Sequence, residues 1–373
     1  MTPFAVAQQL HVSMALAMGA LDEHEAAMRL GVSVEDARRL LRDLAPHRPC
    51  LMPIAADINR ETIELFDLAG TTLSEPFLRG SVDRFQGMQR LHFEVGYEVL
   101  LEASARRARA PDALIFHVGR CGSTLLTNLL SASQAHVVLR EPDVVSHLMA
   151  GMLLAPAAER ARLAAVLQAS VLYSSAVADR MFPARSHLLK LSAWNVLLGQ
   201  TLLNSFPNLP AVFVHRSPVD TVASLLAVPP GWAQLVDRPR EVQARFFPSL
   251  CSGGPSSPAS AIELYAHAFR SCAEAALELP RERVTFVDYQ ELVSDPRACV
   301  RRVLAHFEQA VSAEQIERMA AASTVYSKDP SGKAQFSPGG AHLRSPLSAE
   351  QRALVERVTQ DAWHALQRAT ITN

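Results

Sequence analysis

The sequence predicts an α/β fold: a parallel sheet flanked by helices, with a mostly helical N-terminal extension. Three observations lead there. Ala and Leu recur at helical spacing through 5–20, 24–43 and 86–107. Pro111 and Asp112 then punctuate the chain. Beyond them, short apolar runs are separated by helical segments, the rhythm of a parallel sheet covered on both faces. The predicted boundary lies near 108, giving an accessory region over 1–107 and an α/β domain over 108–373.

Within the extension, 48–76 carries prolines and reads as more extended. Residues 24–44 (HEAAMRLGVSVEDARRLLRDL) resemble a helix-turn-helix. Glu35, Asp36 and Asp43 dilute Arg38, Arg39 and Arg42 on its second helix, a poor phosphate footprint. An accessory cap that helps shape an acceptor site suits it better than a DNA reader. The predicted strands are Leu114–Val118, Val137–Leu139, Leu188–Leu191, Ala211–His215 and Val284–Val287. The Pro-, Gly- and Ser-rich stretch 228–260 reads as an excursion over one rim of the sheet.

Composition excludes several classes. The 373 residues carry a formal net charge of −1, with 49% hydrophobic and 20% charged residues. That balance argues against broad binding to nucleic acid or anionic membrane, and leaves room for one basic pocket. Five scattered cysteines with no zinc-ligand spacing point to a reducing compartment and to no metal site. The apolar patch VSMALAMGAL lacks a preceding basic residue and is followed by Glu23 and Glu25, so it reads as a buried helix and not as a signal peptide. No run of 18 uncharged apolar residues suggests a membrane span. These readings predict a cytoplasmic protein. Of 36 basic residues only Lys190, Lys328 and Lys333 are lysines, as an arginine-preferring genome would produce.

Leu114–Leu130 (LIFHVGRCGSTLLTNLL) is the most informative segment. A buried strand enters a turn holding Gly119 and Gly122, then a helix that begins near Ser123. Backbone N–H groups and a helix N-terminus would converge there, beside Arg120 and the Ser123 and Thr124 hydroxyls, which suits a phosphate. A plain strand–turn–helix corner would also use both glycines. The loop is not a Walker motif: aligned on its end, Ser123 stands where lysine belongs and His117 where the first glycine belongs. A second strand–turn–helix, Ala211–Leu226, offers Arg216, Pro218 in a first helical turn, and Ser224 two turns on. Two such sites fit a ligand phosphorylated at two positions.

GRCGSTLL resembles the 5′-phosphosulfate loop of sulfotransferases that use 3′-phosphoadenosine 5′-phosphosulfate (PAPS), nearest to the tyrosylprotein-sulfotransferase-like branch. The resemblance implies a P-loop-type sheet, with Arg120, Cys121, Gly122, Ser123 and Thr124 at the donor. Cys121 replaces the usual hydroxyl residue; no base partner is identifiable near it, so it reads as a loop residue. The Arg-x₇-Ser spacing of Arg216 and Ser224 resembles the family's 3′-phosphate motif. VTFVDYQELVSDP (284–296) resembles a later family segment and implies that Tyr289 lies near the nucleotide, although a tyrosine packed at a sheet edge would look the same.

Sulfuryl transfer needs a base and positive charge around the moving group. Glu141 follows the second strand and is expected to emerge beside the phosphate loop; its place resembles the family's catalytic glutamate. His136 and His147 are rivals, and Glu141 pairing with Arg140 is the structural alternative. Lys190, at a strand end, resembles the lysine set against the transferred group, a role Arg120 would share. Lys328 and Lys333 lie in a late polar loop, YSKDPSGKAQFSPGG, where the family closes its cofactor site; a solvated loop accounts for the same residues. The resemblance thus implies an enzyme that moves a sulfuryl group from PAPS to an acceptor of open class (small molecule, carbohydrate or peptide), releasing adenosine 3′,5′-bisphosphate without a metal. The alternative is a nucleotide-binding regulator or kinase-like protein whose N-terminal helices contact DNA or a partner.

Overall fold

The structure, a computed structural model, describes residues 15, 18–19, 21–44, 50–85, 88, 90–251, 259–324 and 347–371. By contact the chain forms two compact units, Met1–Pro111 with Leu139–His187, and Asp112–Val138 with Leu188–Asn373.

The first unit holds β1 (Leu51–Asp57), β2 (Thr62–Asp67) and β3 (His92–Gly96) in an antiparallel sheet ordered β1-β2-β3. Helices Asp143–Leu154 and Ala157–Met181 pack on β1. The helix expected over 86–107 is thus shorter: it begins at Tyr97, and His92–Gly96 is a strand. Pairing with β2 outweighs local helical preference there, because the strand's β-branched and aromatic side chains suit a pleated surface. Glu23–Leu30 and Val34–Leu44 are the two helices of the 24–44 segment. Asp22 and Glu25 form a capping box on the first, and Gly31 closes it in a left-handed conformation (φ 65°). Among the described residues one helix, Ala157–Met181, has the length and composition to cross a membrane; 61% of its apolar window is buried within the fold.

The larger sheet contains β4 (Ala113–His117), β5 (His136–Arg140), β6 (Ser186–Lys190), β7 (Ala211–His215) and β8 (Val284–Asp288), ordered β5-β6-β4-β7-β8. The pairings β4–β6, β4–β7 and β7–β8 are parallel. Every residue of β4, β5 and β7 is buried, as a sheet covered on both faces requires. The five predicted strands match to within a residue or two at their ends. Strand β6 lies between β5 and β4, so the strand ending in Lys190 adjoins the loop strand and the one leading to Glu141 is the next one out. The 228–260 excursion is also more regular than expected. Gly231–Asp237 and Pro248–Cys251 are 3₁₀ turns, and Arg240–Phe246 is a helix. Trp232 sets its ring edge-on to Phe247 and Tyr265, both at 5.5 Å. These aromatic contacts order a stretch whose Pro and Gly content reads as loop.

Candidate functional site

Strand β4 is buried and apolar, and its continuation must turn sharply to feed helix Ser123–Ala132. Three left-handed residues make that turn: Gly119 (φ 81°), Arg120 (φ 51°) and Gly122 (φ 87°). Gly119 N–H donates to His117 Nδ1 at 2.9 Å, pinning the start of the loop. Gly122 is required twice over, by its φ and because a Cβ there would stand 2.8 Å from Tyr289 Cδ2. Left-handed residues in succession turn backbone N–H groups into a concavity, next to the first N–H groups of a helix that have no acceptor within it. Ser123 and Thr124 lie at that helix start, each about 5% exposed.

Lys190, Arg216, Ser224 and Tyr289, the described site residues predicted elsewhere in this unit, gather near the loop. Lys190 is 1% exposed at the end of β6, in register with Ile115, and its Nζ lies 3.5 Å from Thr124 Oγ1. Arg120 Nε donates to Ser224 Oγ at 2.9 Å, so the loop reaches directly to helix Pro218–Ala227. Arg216 is buried directly after β7, with its guanidinium 4.2 Å above the Tyr289 ring and 3.5 Å from Asp220 Oδ2. Its Nε and Nη2 have no hydrogen-bond partner. A buried guanidinium with idle donors is costly unless an anion completes it. Tyr289, 6% exposed, is both a packed side chain and the ring beneath that cation.

Cys121 donates its thiol to Val214 O at 3.1 Å, and burial pushes its pKa up to about 11. A thiol so protonated is a loop residue, not a nucleophile.

Glu141 is half-buried directly after β5 in a left-handed conformation (φ 49°), in the first compact unit. Of its rivals, His147 is exposed and accepts from Ala56 N–H. His136 is buried between Ser133 Oγ (2.9 Å) and Gln309 Oε1 (2.6 Å) at the start of β5. Lys328 and Lys333 lie outside the described residues. Arg38 pairs with Glu23 and Glu35, and Arg39 with Asp36, so acidic neighbours answer both arginines. No cluster of metal-ligating side chains occurs among the described residues.

Sequence reasoning missed Asp220, His215 and Asp288. Asp220 had a signal: it stands four residues after Arg216, in the first turn of helix Pro218–Ala227. His215 and Asp288 had none, because their proximity comes from the β7–β8 register, in which they are opposite each other.

Fold and site together define an α/β protein that gathers Arg120, Lys190 and Arg216 at the carboxyl ends of β4, β6 and β7, the edge where open α/β sheets bind ligands. The chain belongs to the sulfotransferase family, whose model matches residues 111–313, more than half of its length. No curated protein matches the chain. Similar solved structures include the sulfotransferase STF9 of Mycobacterium avium, 15% identical over 72% of this chain and 82% of that one, with a TM-score of 0.42. A sulfotransferase from Alicyclobacillus acidocaldarius is 13% identical over 70% and 96%, with a TM-score of 0.42. Mouse sulfotransferase SULT7A1, solved with PAP, is 13% identical over 72% and 93%, with a TM-score of 0.37.

Proposed function

We propose that this sulfotransferase takes PAPS as its donor, and that Arg216 and Ser224 hold the donor's 3′-phosphate. The observation that carries this reading is Arg216 itself: buried, stacked on Tyr289, with two nitrogens lacking hydrogen-bond partners. The turn around Gly119–Gly122, with Ser123 and Thr124, would hold the phosphosulfate end through backbone N–H groups and hydroxyls. Lys328 and Lys333 are proposed as further donor contacts. When bound, PAPS supplies an activated sulfuryl group for in-line displacement.

The chain's own residues would do the rest. Lys190 and Arg120 place positive charge around the moving group and the leaving phosphate, the largest electrostatic demand of such a transfer. Glu141 accepts the proton of an acceptor hydroxyl or amine. Its left-handed backbone is a costly conformation of the kind that concentrates at working sites. Residues 1–107 are proposed as an accessory region that shapes the acceptor site, and the cytoplasm as the protein's location.

Calorimetry tests the donor. Adenosine 3′,5′-bisphosphate is expected to bind more tightly than ATP, and Arg216→Ala to weaken it by about tenfold or more, the scale of one charged hydrogen bond. ATP binding in preference to the bisphosphate would instead favour a kinase or regulator. A mass-shift screen of acceptors with PAPS then identifies the substrate class.

A further inference from the structure

Beneath Arg216 lies a polar line that the proposed chemistry does not use. His215, the last residue of β7, is fully buried, with Phe213 stacked at 6.5 Å and Trp363 edge-on at 5.6 Å. Its Nε2 lies 2.8 Å from Thr370 Oγ1, on helix Ala349–Ile371. Its Nδ1 lies 3.5 Å from Asp288 Oδ2, across the β7–β8 register, and has no hydrogen-bond partner. Asp288 in turn caps the next helix: its Oδ1 accepts from Gln290 N–H at 2.7 Å, one residue beyond Tyr289.

Two adjacent pairs therefore close the ends of β7 and β8. His215 faces Asp288, and the next residue along each strand forms the Arg216–Tyr289 stack. Nδ1 and the half-buried Asp288 carboxylate stand at a polar contact distance that falls short of a hydrogen bond. Thr370 Oγ1 donates to Leu366 O at 2.9 Å, so the hydroxyl that meets Nε2 is itself anchored to the last turn of its helix. Burial pushes the imidazole down to about 4, so it is neutral in this arrangement near neutral pH.

We propose that His215 is a positioning residue of the Arg216 site: tied to Thr370 and facing Asp288, it holds the Tyr289 helix where the ring supports Arg216 with donors facing a 3′-phosphate. The proposal rests on the reading that this site takes a 3′-phosphate. Nothing about His215 touches the ligand; it acts through Asp288 and Tyr289.

The test compares adenosine 3′,5′-bisphosphate with adenosine 5′-monophosphate, which lacks the 3′-phosphate, by calorimetry on the full chain. His215→Phe keeps an aromatic ring and removes both polar links; Thr370→Val removes one from the half-buried helix end. Each is expected to weaken bisphosphate binding by about tenfold and to leave the monophosphate unchanged. His215→Gln, which can reach Thr370, and His215→Asn, which can face Asp288, should each recover part of the loss. Wild-type discrimination surviving intact in His215→Phe and Thr370→Val overturns the proposal. So does equal weakening of both nucleotides, the mark of a merely structural role. A wild-type chain that does not prefer the bisphosphate overturns the 3′-phosphate reading itself, which the variants then do not enter. If His215→Phe fails to fold, Thr370→Val alone decides.

Discussion

Individual residues divide here into those whose role follows from their own chemistry and those whose role follows from a neighbour. Lys190 is buried at a strand end and Glu141 sits in a left-handed turn, two costs that ordinary structural residues avoid. Glu141→Gln is expected to cut the transfer rate by about 10²- to 10⁴-fold, the usual worth of a positioned base, while leaving bisphosphate affinity unchanged. Rate and affinity measured on the same preparation check it. The cysteines make a second residue-scale prediction. Cys251 is exposed, whereas Cys50, Cys121, Cys272 and Cys299 are buried, with burial pushing the thiol pKa up in all four. Brief alkylation of the folded protein should therefore label Cys251 and no other cysteine, as read by peptide mass spectrometry.

Elements position these residues through their ends. Strands β4 and β7 each stop at a turn that opens a helix, and the two meet: Arg120 from the turn after β4 donates to Ser224 on the helix after β7. The loop's backbone depends on Gly122. Gly122→Ala would impose a left-handed conformation on an L-residue and drive Cβ toward the Tyr289 ring. It is expected to cost roughly 2 kcal/mol of stability, seen as a lowered denaturation midpoint, and to disturb the Arg216 stack from below. Much at this scale was legible in advance. Apolar runs marked all five strands of the large sheet because a doubly covered strand needs no polar face. The β3 strand escaped notice because its preference is set by β2 alongside it. The order of helices in 231–251 escaped because aromatic packing around Trp232 overrides local Pro and Gly signals.

At the scale of the whole molecule, buried and half-buried imidazoles tie stability to pH. Burial pushes His136, His215 and His267 all below the ordinary histidine value, His215 to about 4. The unfolded chain then binds more protons than the folded one between about pH 6.5 and 4, so stability falls as pH drops through that window. His215 alone would contribute about 3 kcal/mol of this loss. Urea denaturation from pH 7 to pH 4.5 should show it, and His215→Phe should flatten the slope. The same molecule separates two kinds of information. Strand positions, the glycine-bearing turn after β4 and the Arg216–Ser224 spacing are local, written in residues a few positions apart, and are readable from the sequence. Strand order is not local. That β6 and not β5 adjoins β4, that Arg216 rests on a ring contributed by the helix after β8, and that His215 faces Asp288 all depend on which strands become neighbours. Spatial adjacency between distant segments is set by the packing of the whole sheet, and no spacing along a single chain encodes it.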